Sequence, residues 1–388
     1  MKILLLNRSY YPHVGGIENS LYCLSRELKR SGNEVTVFTQ EVPGKCAERE
    51  EFATVIRYPR YSFNKLLCPI IPYLSEKKVI KAIKLHKADL EADVVICRDP
   101  MLGLAYSKVF NNAYIVYIPA VIIRYYNKGV RKADNLVGLL KEIIRFLQLK
   151  IEERQQKNVM LKSNKVIVFS TNIKNQIARG NICDIAKVSV CYPGVSNKIS
   201  ANLEKSRCED STKFLFIGRI VAEKNLEMLI RAFKKLDCKN KKLIIVGDGS
   251  DRTYLQKITD ELNLGDSVIF TGETAEPQKY YKKADFFVIP SKYESFGQVI
   301  AEALTAGVPV IGFKTIEGKT LTAVEELVKD GETGFVCNEF SSDALCDAMR
   351  KAANLFTEQE NYYHMRNNCS RFAEENFSWR LLADCCIQ

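Results

Sequence analysis

The sequence predicts an α/β protein built from two doubly wound domains. Short apolar runs of strand length alternate with amphipathic stretches of helix length along nearly all of the 388 residues. The apolar runs are near-continuous, as in parallel strands covered on both faces. The alternation stops in a polar, aperiodic stretch, Asn197–Ser211, and then restarts.

In the first half, Lys2–Asn7 reads as a buried strand. Ile17–Ser31 reads as a helix, with Leu21, Leu24, Ser25 and Leu28 on one face. Strands follow at Glu34–Gln40, Asp93–Cys97, Tyr114–Tyr117, Lys165–Phe169 and Val188–Cys191, with a long basic helix over Leu136–Leu161. In the second half, strands are expected at Lys213–Ile217, Lys242–Gly247, Ser267–Thr271, Phe286–Pro290 and Val308–Phe313. Helices fall between them at Glu223–Leu236, Arg252–Leu262, Pro277–Ala284 and Gly297–Ala306, with a helical tail from Ser341. The domains are therefore placed at 1–197 and 212–375, facing across a cleft. In such sheets ligands bind beyond the carboxyl ends of the strands, where the winding reverses.

The composition, 46% hydrophobic and 27% charged, belongs to a folded globular chain and argues against disorder. Charge is uneven. Residues 1–200 carry 32 Lys/Arg against 17 Asp/Glu, whereas residues 201–388 carry 25 against 29. The basic half is expected to face an anionic membrane surface or a phosphate-bearing acceptor, or to be simply solvated. Nucleic acid is not expected, because no recognition motif accompanies the charge. The 13 cysteines form no Cys-x-x-Cys and only three histidines occur, His13, His86 and His364, so no metal site is expected. An odd number at irregular spacing points to reduced thiols in a cytoplasmic protein. The apolar run Ile3–Leu6 is too short for a signal peptide, and Leu66–Leu74 and Ala113–Ile123 are too short to span a bilayer. The expectation is a cytoplasmic protein, free or peripheral on the inner membrane face.

Four segments lie just after strands, where ligands are expected. Tyr11-Pro12-His13-Val14-Gly15-Gly16-Ile17-Glu18 opens the first helix, and its paired glycines let backbone approach a ligand. Gly218-Arg219-Ile220-Val221-Ala222-Glu223-Lys224-Asn225 places two cations five residues apart across a loop, which suits a diphosphate. Val246-Gly247-Asp248-Gly249-Ser250 is a third strand-to-helix turn. The most informative runs from Pro290 to Ala303, where Glu294 lies in a loop and Glu302 in the following helix. The backbone amides of Phe296 and Gly297 suit a phosphate or sugar, and each carboxylate can accept from sugar hydroxyls. Glu302 is flanked by Val299, Ile300, Ala301, Ala303 and Leu304, and an acid in so apolar a helix needs partners.

On these motifs the chain resembles the family 4 glycosyltransferases, retaining enzymes of the two-domain GT-B fold. Glu294 and Glu302, separated by seven residues, match that family's glutamate pair, and Gly218-Arg219 with Glu223-Lys224-Asn225 matches its phosphate-clamping loop. Pro12–Glu18 is similar to its first loop, and Tyr192-Pro193-Gly194-Val195 resembles the segment that ends its first domain. Phe377-Ser378-Trp379 resembles the closing helix, which implies that residues 376–388 return to the first domain. The resemblance implies transfer of a sugar from a UDP- or GDP-linked donor to a saccharide or lipid-linked acceptor, with no cofactor and no bound metal. Arg219 and Lys224 would meet the charge of the leaving diphosphate, Glu294 would hold the donor sugar, and Glu302 the ribose. Gly15, Gly16, Gly247, Gly272, Glu273, Ser295, Phe296 and Gly297 complete the implied donor site. Many relatives carry a histidine where this chain reads Ile118-Pro119-Ala120. The acceptor-side candidates are accordingly His13, Arg98 and Asp99. Two other readings stay open: a nucleotide-sugar epimerase of the same fold, and a degenerate transferase retained as a binding subunit. The basic segment 124–165, with eleven Lys/Arg against four Asp/Glu, carries the apolar residues Leu136, Leu139, Leu140, Ile143, Ile144 and Leu147. That face fits either anionic lipid or the protein's own core.

Overall fold

The computed structural model describes residues 1–12, 15–41, 49–61, 70–126, 136–195, 199 and 211–388. The chain divides into two compact units, Met1–Gly194 with Trp379–Gln388, and Val195–Ser378.

The first unit is built on the strands β1 (Lys2–Leu6), β2 (Glu34–Gln40), β3 (Arg49–Glu50), β4 (Ala53–Tyr58), β5 (Val94–Cys97), β6 (Tyr114–Tyr117), β7 (Lys165–Val168) and β8 (Val188–Val190). They form one sheet in the order β3-β4-β2-β1-β5-β6-β7-β8. Every pairing is parallel except β3 with β4. The helices α1 (Gly16–Arg30), α2 (Ile71–Leu85), α3 (Pro100–Ser107), α4 (Ile123–Tyr126), α5 (Leu136–Lys162) and α6 (Thr171–Arg179) connect them. Winding runs outward from β1 to β4 on one side and from β5 to β8 on the other, so it reverses between β1 and β5. The strands are apolar on both faces because both faces are covered. Leu4, Leu6, Val95 and Cys97 pack with α2, α3 and α5, while Ile3, Leu5, Val94 and Ile96 pack with α1.

The second unit has six parallel strands: β9 (Thr212–Ile217), β10 (Lys241–Val246), β11 (Val268–Gly272), β12 (Phe286–Ile289), β13 (Val310–Phe313) and β14 (Gly334–Cys337). Their order is β11-β10-β9-β12-β13-β14, with the reversal between β9 and β12. Around them lie α7 (Leu226–Lys235), α8 (Arg252–Glu261), α9 (Gln278–Tyr281), α10 (Gln298–Thr305), α11 (Val324–Leu327), α12 (Ser342–Thr357) and α13 (Gln359–Asn376). The last helix, α14 (Trp379–Ile387), belongs to the first unit, where Trp379, Leu382, Ala383 and Cys386 join the core beside α1.

One difference from the sequence reading has a clear cause. The helix expected over Glu223–Leu236 is broken: Ala222–Lys224 is a single 3₁₀ turn, and Asn225 takes a left-handed conformation at φ 54° before α7 begins. Asn tolerates that region because its short side chain bonds locally; here its Nδ2 bonds Met228 Sδ at 3.4 Å, and it also donates to the distant Pro290 carbonyl at 3.3 Å. The helical tail is three helices, divided at Glu358 and again at Phe377 and Ser378. None of the ten described cysteines is in a disulfide.

Candidate functional site

Both reversal points fall where the singled-out motifs stand. In the second unit, the loop after β9 carries Arg219 and Lys224, and the loop after its neighbour β12 carries Ser291 to Gly297. Parallel pairing of β9 with β12 delivers the two loops to the same end of the sheet. There the Lys224 ammonium bonds Glu294 Oε1, a contact across 70 residues of sequence. The same oxygen accepts from Ser291 Oγ at 3.0 Å, while Oε2 bonds no described residue.

Backbone bonds fix these loops. Lys292 N donates to the Glu223 carbonyl at 3.0 Å, and Glu294 N to the Leu321 carbonyl at 2.9 Å. On the other flank, Ile220 N donates to the Asp248 carbonyl at 2.8 Å, joining the loop after β10 to the loop after β9. Glycine is needed at that seam. A Cβ on Gly247, itself at φ 133°, would lie 2.0 Å from the Gly218 carbonyl oxygen, and one on Gly249 would lie 2.2 Å from that of Ile220. Gly247 N also donates to the Gly272 carbonyl at 2.8 Å, which brings the end of β11 alongside.

Arg219 is exposed, and its guanidinium makes no hydrogen bond or ion pair with a described residue. Phe296 is buried against Phe377, with ring centroids 6.0 Å apart. Gly297 caps α10 at φ 79°, so the helix starts directly after the Glu294 loop. Glu273 is exposed beyond β11, and Ser295 is partly buried.

Glu302 faces a different environment from Glu294. Its neighbours Ile300, Ala301, Ala303 and Leu304 are fully buried. Burial pushes its carboxyl from the usual 4.5 up to about 7, against a hydrogen bond from Tyr281 that pulls the other way. That bond, from the phenol to Glu302 Oε2 at 3.0 Å, orients the carboxylate and leaves Oε1 available. Tyr281 lies 21 residues upstream on α9, and nothing in its local sequence marks it. Ser291, by contrast, stands inside the Pro290–Ala303 motif, three residues before Glu294.

In the first unit, the loops after β1 and β5 meet at the other reversal point. Asp99 caps α3 by accepting from Leu102 N at 2.9 Å, and it pairs with Arg8 Nε at 2.5 Å. Arg98 points into the interior. Its Nη1 donates to Ser20 Oγ at 2.7 Å, its guanidinium lies 4.9 Å from the Phe169 ring, and its Nε has no partner among the described residues. Burial lowers its pKa to about 10. Gly15 adopts an extended backbone before α1, where a Cβ would meet the Glu18 carboxylate at 2.4 Å, and Gly16 opens the helix itself. His13 lies outside the described residues.

In the second unit Lys224 contacts Glu294 beyond the sheet, Arg219 stands on the same loop as Lys224, and Glu302 lies on the helix that starts after the Glu294 loop. That arrangement can neutralise a diphosphate and accept from several hydroxyls at once.

Family models match the chain almost end to end. Residues 14–198 match Glycosyltransferase Family 4, and residues 199–374 match Glycosyl transferases group 1. The chain belongs to the family 4-type glycosyltransferases of the GT-B fold. An uncharacterised glycosyltransferase of Methanocaldococcus jannaschii is 26% identical over 99% of this chain and 96% of its own. The alpha-monoglucosyldiacylglycerol synthase of Streptococcus pneumoniae is 26% identical over 80% of this chain and 70% of its own. Among solved structures, the Anabaena protein HepE in complex with UDP and glucose superimposes with a TM-score of 0.72. It is 18% identical, over 99% of this chain and 98% of that one.

Proposed function

We propose that this glycosyltransferase moves a sugar, with retention of anomeric configuration, from a UDP- or GDP-linked donor bound in its second unit. The acceptor is a saccharide or a lipid-linked saccharide in surface polysaccharide or glycolipid assembly. The observation that carries the reading is the Lys224–Glu294 contact at the β9/β12 reversal, with Arg219 on the same loop as Lys224 and bonded to no described residue. In the structure the ammonium and the carboxylate bond each other. A donor would engage both, its diphosphate at Lys224 and Arg219 and its sugar hydroxyls at Glu294. Glu302, oriented by Tyr281, would accept from the ribose.

The acceptor oxygen bonds to the anomeric carbon as the bond from that carbon to the diphosphate oxygen breaks. The bonding pair leaves with the diphosphate, whose oxygen receives the acceptor proton. The barrier falls where fixed cations meet that growing charge. Arg219 and Lys224 do this work in the proposed mechanism with no bound metal, so EDTA is expected to leave transfer unchanged.

The names of two relatives support parts of this reading. The pneumococcal relative is a glycolipid synthase, and the HepE structure holds UDP and glucose. No described helix is long and apolar enough to cross a membrane. On α5, however, Leu139, Leu140, Ile143 and Leu147 are 40–58% exposed beside Lys141 and Arg145. An exposed apolar stripe flanked by cations favours contact with an anionic lipid surface over burial in the protein's own core. Sedimentation with anionic vesicles no greater than with neutral ones at low salt would remove that part of the proposal.

A thermal-shift screen of UDP- and GDP-sugars tests the donor assignment. A ligand at about 100 times its Kd stabilises the native state by about 2.7 kcal/mol, and no shift with any donor would contradict it. Incubating the binding donor without acceptor separates the epimerase reading, which requires a changed sugar in that tube.

A further inference from the structure

A cavity of about 290 Å³ opens on the first unit between α4, α5 and the end of α6. Arg124 of α4 and Lys150, Arg154 and Lys157 of α5 line it, with Glu153 as the only acidic group among the described lining residues. The three α5 cations stand at i, i+4 and i+7, on one helix face over two turns. Like charges at that spacing repel and weaken the helix that carries them. The described residues offset little of this repulsion. Lys150 pairs with Glu153 at 2.9 Å, and Arg124 Nη1 donates to the Gly180 carbonyl at 3.3 Å. The side chains of Arg154 and Lys157 bond no described residue.

We propose that this cavity is a binding site for a phosphate group, built wholly within the first unit and additional to the donor site. Its four cations against one carboxylate match a phosphate's charge, and two guanidinium groups present planar pairs of donors to its oxygens. Its volume is far larger than a bare phosphate needs, and Ile182 gives it an apolar wall. The phosphate therefore arrives on a larger molecule: either a lipid headgroup at a membrane surface or a soluble phosphorylated compound. The site also gives part of the basic excess of the first half a specific task. The inference holds whether or not the sugar-transfer reading does, since no donor-site residue enters it.

The test compares the full chain carrying Arg219→Gln with the same chain carrying Arg219→Gln, Arg154→Gln and Lys157→Gln. The shared change weakens phosphate binding in the second unit. Arg154 and Lys157 are exposed, so the fold is expected to persist, checked by circular dichroism. Calorimetric titration with inorganic phosphate is expected to show binding to the first protein and at least tenfold weaker binding to the second. Sedimentation with phosphatidylglycerol vesicles, against phosphatidylcholine, then separates the sources. Loss in both arms assigns a lipid headgroup, and loss for phosphate alone assigns a soluble ligand. Equal phosphate affinity of the two proteins, or no binding by either, overturns the proposal.

Discussion

At Glu302, a buried apolar wall and one phenol decide the state of a carboxyl. With a pKa near 7 in the native protein and an ordinary value of 4.5, it keeps a proton that the unfolded chain releases between those values. Stability from this group is present below about pH 4.5, falls as pH rises toward 7, and is level above. Replacing it by Gln removes the titration. The melting temperature of wild type is therefore expected to drop more between pH 5 and pH 8 than that of Glu302→Gln, and parallel profiles would contradict the assignment. Donor binding has the opposite slope, because ribose hydroxyls donate to the ionised form. Nucleoside diphosphate binding is expected to release more protons near pH 7 from wild type than from Glu302→Gln, measured by calorimetry in buffers of differing ionisation enthalpy. Arg219 poses the complementary case. Exposed and bonded to no described residue, it contributes little to folding, so Arg219→Gln is expected to change stability by less than about 0.5 kcal/mol. Sugar transfer is expected to fall by roughly 10²–10³, the usual effect of removing one preorganised donor of charge stabilisation.

Among the elements, α14 stands apart because it ends the sequence yet packs with the first unit. Leu382 is fully buried there and Trp379 nearly so, in the cluster that holds Ile96, Val116 and Ile167. Lys165 Nζ adds a bond to the Cys385 carbonyl at 2.8 Å. Truncating Leu382 to Ala is expected to cost about 2–5 kcal/mol, seen as a lower urea midpoint. A cost under about 0.5 kcal/mol would mean that the helix contributes no core. The broken helix at Asn225 is the other informative element. A continuous helix from Glu223 would carry Lys224 on its first turn. The left-handed residue ends the 3₁₀ turn there instead, and Lys224 bonds Glu294.

For the molecule as a whole, the strands and their parallel pairing were legible in the sequence because burial on both faces leaves unbroken apolar runs, as in Val94–Cys97 and Phe286–Ile289. Ala53–Tyr58 and Gly334–Cys337 are not legible as strands, since Thr54, Arg57 and Gly334 interrupt the pattern in strands outside the sheet centre. Helix α2 was hidden by its two-sided character, with Tyr73 and Leu85 exposed while Glu76 is buried against Lys108. Within the site, the motif residues could be read because each sits just after a strand. Tyr281 could not, because its part depends on a contact that exists only once α9 and α10 are packed. Asp99 had a local signal for a second task, as it stands before Pro100 where a helix cap belongs.

The central claim is that Glu294, held by Lys224 and Ser291, serves the sugar of a nucleotide donor. It is tested most directly by release of nucleoside diphosphate from the donor identified by thermal shift, with a glycolipid and saccharide extract as acceptor. Glu294→Gln keeps the side chain's size and its place beside Ser291, and its fold is checked by circular dichroism. Wild type is expected to release the diphosphate in step with labelled sugar entering the extract, and folded Glu294→Gln to lose that release by at least a hundredfold. Undiminished transfer by the folded variant would contradict the account.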